Sequence, residues 1–160
     1  MIDEVYLDMD GVLTNWDYQV DYYSVRKSNG KADWDMVSKI GSKFWIDMPW
    51  LLDGHRLYNG ILNLQKQYNF KLGIMSAIFS KSGKVGKRYW LEQNCPEINP
   101  DNIIICDRAF QKIEHAKPNR LLIDDKIENC QDFVNNDGHA ILFTVYTEVL
   151  HKLEEMLKHK

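Results

Sequence analysis

Cysteine is scarce in this 160-residue chain, and Cys95, Cys106 and Cys130 are odd in number and lack metal-ligand spacing, which excludes a disulfide framework and a thiolate zinc site. Reduced thiols in a cytoplasmic protein are the expectation. With four prolines and nine glycines, no Pro/Gly-rich linker, repeat or low-complexity tract divides the sequence. It therefore reads as one domain over residues 1–160, large enough to bury a sizeable core. Positive charge is not in excess: 20 Lys and Arg against 23 Asp and Glu give a net charge of −3. A long nucleic acid, whose phosphates want a basic face, is not an expected partner. No apolar run approaches a membrane span, so no membrane partner is expected either. The first residues, with Asp3 and Glu4, do not read as a signal peptide. The five histidines form no His-Glu-x-x-His and no evident zinc set. What remains, 44% hydrophobic and 27% charged residues, is the composition of a folded soluble protein.

Against these absences stand two acidic motifs. In Tyr6-Leu7-Asp8-Met9-Asp10-Gly11-Val12-Leu13-Thr14 an apolar run reads as a buried strand that ends in two carboxylates one residue apart. Residues two apart on extended chain point the same way, so both can face one small space. Two anions that close repel, and a hard cation such as Mg²⁺ resolves the conflict while leaving positions open for phosphate. Gly11 suits a sharp turn off the strand tip. Far downstream, Leu121-Leu122-Ile123-Asp124-Asp125 is a second strand ending in carboxylates. A helix cap and first-turn dipole partner would explain such a pair in isolation. In a parallel sheet, however, both strand ends lie on one edge, where four aspartates can converge on one cation. Between them Ile74-Met75-Ser76-Ala77 ends a third strand in a hydroxyl followed by backbone N–H groups, donors suited to phosphate oxygens. A phosphorylated intermediate among aspartates also needs a cation. Lys81, Lys84, Lys87 and Arg88 follow Ser76, while Lys112 and Lys117 precede Asp124.

Five apolar runs recur, at Val5–Leu7, Leu72–Met75, Ile103–Cys106, Leu121–Ile123 and Ala140–Val145. Helical segments between the last four predict an α/β fold, a parallel sheet with helices on its faces. Leu57, Ile61, Leu64 and Tyr68 share helical spacing, as do Val149, Leu150, Leu153 and Leu157. Lys158, His159 and Lys160 then suit a helix C-terminus. The first gap breaks the rhythm: about forty residues separate Thr14 from a helix near Gly54. They are rich in aromatic residues, namely Trp16, Tyr18, Tyr22, Tyr23, Trp34, Phe44, Trp45 and Trp50, and are placed to cover the site or to pack beside the body.

The ordered pattern Asp8-x-Asp10-Gly-Val-x-Thr14, Ser76, a lysine and Asp124-Asp125 resembles the haloacid dehalogenase-like hydrolases over nearly the whole chain. Phe44-Trp45, Met48-Pro49-Trp50, the segment Gly86–Gln93 and Leu121–Lys126 with Ile141–Thr144 resemble the 5'(3')-deoxyribonucleotidases among them. Ser76-Ala77 stands where those enzymes usually carry two hydroxyl residues. The resemblance implies a Rossmann-like parallel sheet with helices on both faces and a small helical, aromatic cap over about residues 15–50. It implies a Mg²⁺-dependent phosphomonoesterase with Asp8 as nucleophile and Asp10 as acid and base. The metal ligands would be Asp8, Asp10 through its backbone carbonyl, Asp124 and Asp125. Ser76, Ala77 and Lys87 would bind phosphate, with Lys112 and Lys117 as rivals of Lys87, and Phe44 and Trp45 would meet a base. The substrate would be a small phosphate ester, first a nucleoside monophosphate. Another small ester, a polynucleotide 3'-phosphate end, or a non-catalytic module that keeps the fold are the alternatives. A homodimer is left open.

Overall fold

The computed structural model of the chain describes residues 1–158. Its frame is a five-stranded parallel sheet of β1 (Glu4–Leu7), β2 (Lys71–Ala77), β3 (Ile103–Cys106), β4 (Arg120–Asp124) and β5 (His139–Leu142), in the order β3-β2-β1-β4-β5. Each strand falls on one of the five apolar runs. The last is shorter than its run, because beyond Leu142 the chain leaves the strand, with Phe143 N donating to Asp124 O at 2.8 Å. Strands covered on both faces read as continuous hydrophobic segments, and all five residues of β4 are buried. The faces still differ. Val5, Leu7, Leu72, Ile74, Leu121 and Ile123 enter one large core, while Tyr6, Met75 and Leu122 meet Phe133 on the other side.

The large core is completed by α4 (Leu52–Tyr68) and α7 (Tyr146–Lys158), which pack on each other. Leu57 and Ile61 of α4 and Leu153 and Leu157 of α7 are fully buried, each worth about 1.5–3 kcal/mol relative to exposure. α4 stops at Asn69, whose left-handed backbone (φ 50°, ψ 60°) suits an amide side chain and returns its N–H to Gln65 O. Lys158 ends α7 and pairs with Glu155 at 2.9 Å. His159 and Lys160, also read as C-terminal cations, lie outside the described residues. The opposite face carries α6 (Ile127–Asn135), against β4 and β5.

The segment between β1 and α4 folds as three short helices, α1 (Trp16–Tyr22), α2 (Trp34–Ile40) and α3 (Lys43–Ile46). Apolar burial and side-chain donors hold them. Gln19 Nε2 donates to Phe44 O at 2.6 Å, and Trp90 Nε1 of α5 (Lys81–Asn94) donates to Met48 O at 2.7 Å. α3 lies directly on α5, and Gly86 permits the approach. A Cβ at Gly86 would sit 2.5 Å from Trp45 Cβ and 2.7 Å from Ser42 O. Gly86→Ala is therefore expected to lower the urea midpoint by the equivalent of about 1–3 kcal/mol. That outcome runs against the roughly 1 kcal/mol by which alanine is preferred inside a helix. An unchanged or raised midpoint would show that α3 can leave α5 at no cost.

Candidate active site

The chain visits β1, β2 and β3, then crosses to β4 and β5 on the other side of β1. The strand order reverses at β1, and such switch points are where open α/β sheets bind ligands. Asp8 follows the last residue of β1, and its N–H donates to Ile123 O at 2.9 Å, which ties it beside the end of β4. The chain then winds around one carbonyl: Val12, Leu13 and Thr14 all donate N–H to Met9 O, at 3.1, 2.8 and 3.0 Å. Gly11 takes φ +82°, and a Cβ there would meet Asp125 Cγ at 2.6 Å. This turn aims Asp10 across the site, where Thr14 Oγ1 donates to Asp10 Oδ1 at 2.9 Å and Lys87 Nζ donates to Asp10 Oδ2 at 2.8 Å.

Asp8, Asp124 and Asp125 each bring a carboxylate oxygen within 4.8 Å of the others. At that separation and an effective dielectric constant of about 20, two carboxylates repel by roughly 3 kcal/mol. The described cation placed between them is Lys112, from the 3₁₀ turn Ala109–His115. It is 3% exposed, and its Nζ lies 3.1 Å from Asp8 Oδ1 and donates to Asp124 Oδ2 at 2.6 Å. Burial works against the charge of Lys112, but Asp8 and Asp124 outweigh it and hold the pKa above the usual lysine value. One lysine does not neutralise three carboxylates. Burial and then repulsion from Asp8 push Asp124 up despite its bond to Lys112, and burial, Asp8 and Asp124 push Asp125 up to about 6.

The oxygens of this cluster are not equally satisfied. Asp124 accepts from Lys112 Nζ, from Lys126 N at 2.9 Å and from Asn129 Nδ2 at 3.0 Å on both oxygens. It anchors the turn into α6 rather than capping that helix, whose N-cap is Lys126. Asp125 Oδ1, by contrast, is buried and accepts no hydrogen bond among the described residues. Three carboxylates around one lysine leave a net charge of about −2, and with the unpaired oxygen this fits a hard divalent cation.

A cavity of about 820 Å³ opens above the cluster. Asp8, Asp10, Ser76, Ala77, Lys112 and Asp125 line its floor, and Trp16, Trp34 and Trp45 form a wall. The three indoles lie within 6.5 Å of one another with interplanar angles of 19–32°, and Trp34 is half exposed. On another side the Arg108 guanidinium lies 4.7 Å from the ring centre of the exposed Phe79.

The sequence-predicted residues thus separate. Asp8, Asp10, Ser76, Ala77, Trp45, Asp124 and Asp125 come together at this edge. Phe44 does not reach the cavity: it is wholly buried among Trp16, Tyr23 and Trp45, with an apolar ring that gains more from core packing than from solvent. The sequence points to Lys87 before Lys112 for phosphate, but the cation against Asp8 is Lys112, and Lys87 is committed to Asp10, Ser76 Oγ at 2.8 Å and Ala77 O at 3.2 Å. Lys117 is an exposed surface residue. Asn129, which fixes Asp124, was not singled out, although its place five residues on, in the first turns of α6, is the signal that could have found it. Trp16 and Trp34 were visible only as members of an aromatic segment.

Lys112→Met is expected to lower the melting temperature strongly in EDTA and much less in excess Mg²⁺, since a bound cation would replace the missing charge. Equal destabilisation with and without Mg²⁺, by differential scanning fluorimetry, would place the metal away from this cluster.

No family model matches the sequence, and no curated protein matches it. Solved structures do. A haloacid dehalogenase-superfamily hydrolase from Geobacter sulfurreducens shares 12% identity over 95% of this chain and 100% of its own, with a TM-score of 0.60. A hydrolase of the same family from Deinococcus radiodurans, with bound phosphate and sodium, shares 10% identity over 87% and 79%, with a TM-score of 0.55. The L-2-haloacid dehalogenase of Xanthobacter autotrophicus shares 11% over 88% and 76%, with a TM-score of 0.52. The chain has the haloacid dehalogenase-like α/β fold.

Proposed function

We propose that the protein is a Mg²⁺-dependent phosphomonoesterase that works through a phosphorylated Asp8. The observation that carries this reading is the convergence of Asp8 and Asp10 at the switch point with Asp124, Asp125 and the buried Lys112. Asp8 attacks the phosphorus of the ester and forms an acyl phosphate, and the bond from phosphorus to the leaving oxygen breaks. Asp10 gives its proton to that oxygen, then takes one from the water that attacks the phosphorus and releases inorganic phosphate. Lys112 holds one oxygen of Asp8 and offsets charge on the phosphoryl group. Bound by Asp8, Asp124, Asp125 and the Asp10 backbone carbonyl, Mg²⁺ would neutralise charge on the nucleophile and on the phosphoryl oxygens. Ser76 and the backbone at Ala77 line the phosphoryl end of the cavity.

The substrate class we assign is a nucleoside monophosphate. The half-exposed Trp34, backed by Trp16 and Trp45, offers a planar face on which a base can stack. The cavity lies in the volume range of small-molecule sites. Residues 15–50 would act as the cap that supplies this face.

Asp8→Asn is expected to reduce turnover by on the order of 10³-fold or more and to abolish the labelled acyl phosphate in a trapping experiment. Near-normal hydrolysis by the purified variant would remove Asp8 as nucleophile. Trp34→Ala is expected to lower kcat/KM for nucleoside monophosphates about 5- to 150-fold, the equivalent of about 1–3 kcal/mol of stacking, while sparing p-nitrophenyl phosphate. Equal loss on both compounds would turn the assignment toward a non-aromatic ester. Phe44→Ala should instead lower both activities together with the melting temperature.

A further inference from the structure

The proposed chemistry leaves the buried Lys87 without a task. Lys87 lies within α5, is 1% exposed, and is absent from the residues that line the cavity. An ammonium has three protons, and Asp10 Oδ2, Ser76 Oγ and Ala77 O accept them at 2.8, 2.8 and 3.2 Å. None is left for a substrate oxygen. The ring of Trp45 closes another side, 5.2 Å from Nζ. Burying a lysine costs several kcal/mol of desolvation, and an apolar side chain of similar volume would pack there at lower cost. The charge is therefore used for what it touches.

Among those partners only Asp10 is a reacting group. Its other oxygen accepts from Thr14 Oγ1 at 2.9 Å, and Thr14 is fully buried in the turn around Met9 O. Each oxygen of Asp10 is thus gripped by a donor on a rigid, buried support, one from α5 and one from the turn after β1. Each carboxylate oxygen keeps a further lone pair, so the grip leaves room for the proton that Asp10 must carry. Positioning of this kind matters because proton transfer needs the donor within hydrogen-bond reach of the leaving oxygen.

We propose that Lys87 is a positioning residue for Asp10: with Thr14 it fixes the orientation of that carboxylate toward the leaving group, while Lys112 serves Asp8 and the phosphoryl group. The inference rests on the reading of Asp8 as nucleophile and Asp10 as acid and base. It divides two buried lysines between the two halves of the reaction.

Two substrates separate this role from phosphate binding. Acetate leaves acetyl phosphate without being protonated, whereas the alkoxide of ethyl phosphate must take a proton as it departs. Because kcat/KM reports steps only up to departure of the leaving group, Lys87→Met should lower it about 10²-fold for ethyl phosphate and leave it little changed for acetyl phosphate. The acyl phosphate should accumulate from acetyl phosphate, since activation of water also needs Asp10, and inhibition by inorganic phosphate should be unchanged. Asp10→Asn should give the same selective pattern. If Lys87→Met does not fold, Thr14→Val, which releases the other oxygen of Asp10, is expected to show the selective loss and decides the matter. Equal losses on both substrates with weakened phosphate inhibition, or no loss on either, would overturn the proposal. A parent protein that hydrolyses neither compound overturns both this inference and the reading beneath it.

Discussion

Three carboxylates crowded at one sheet edge repel one another, and the structure around them is arranged to keep them there. Lys112 reaches in from a 3₁₀ turn to touch two of them, Asn129 reaches back from the first turns of α6 to hold Asp124, and the N–H of Asp8 is tied to β4. The cluster remains short of positive charge even so, with three carboxylates against one lysine, and burial followed by repulsion from Asp8 pushes the pKa of Asp124 and Asp125 up. A fold that keeps such a deficit stores affinity for a divalent cation, because binding relieves a repulsion that folding imposed.

The parallel sheet makes that crowding possible. Its strands are covered on both faces, so Val5, Leu7, Ile74, Leu121 and Ile123 exclude water from below, and polar groups can emerge only where the strands end. Burial then strengthens every electrostatic contact at the edge, attractive and repulsive alike. The same apolar runs that stabilise the sheet therefore set the electrostatic character of the site.

This division explains what was legible in the sequence. The strands were visible because a doubly covered strand is an uninterrupted apolar run, and the acidic pairs because each sits where such a run stops. α4 and α7 were visible from helical spacing. Lys87 and Lys112 were harder to separate, since both are lysines in polar surroundings and neither spacing nor composition states which carboxylate each will meet. The 3₁₀ turn that carries Lys112 inward has no periodic signature. Phe44 and Trp45 are adjacent aromatics on one short helix, and only the packing beside α5 and Trp16 decides that the first is enclosed and the second reaches the cavity. Trp34 joins the same wall from another helix, a contact that no local pattern announces.

Helix α5 carries a consequence of its own. Its residue Lys87 holds Asp10, its residue Gly86 seats Trp45, and its residue Trp90 fastens the chain at Met48. In the proposed reaction, Trp45 of the aromatic wall and the lysine that grips Asp10 are therefore both set by one rod, at adjacent residues. A small rotation of that rod would move both in step, so a ligand that tilts the wall would also re-aim the carboxylate. Discrimination between leaving groups and the efficiency with which they are expelled would then be a single mechanical property of one helix, and selection could not tune either without changing the other.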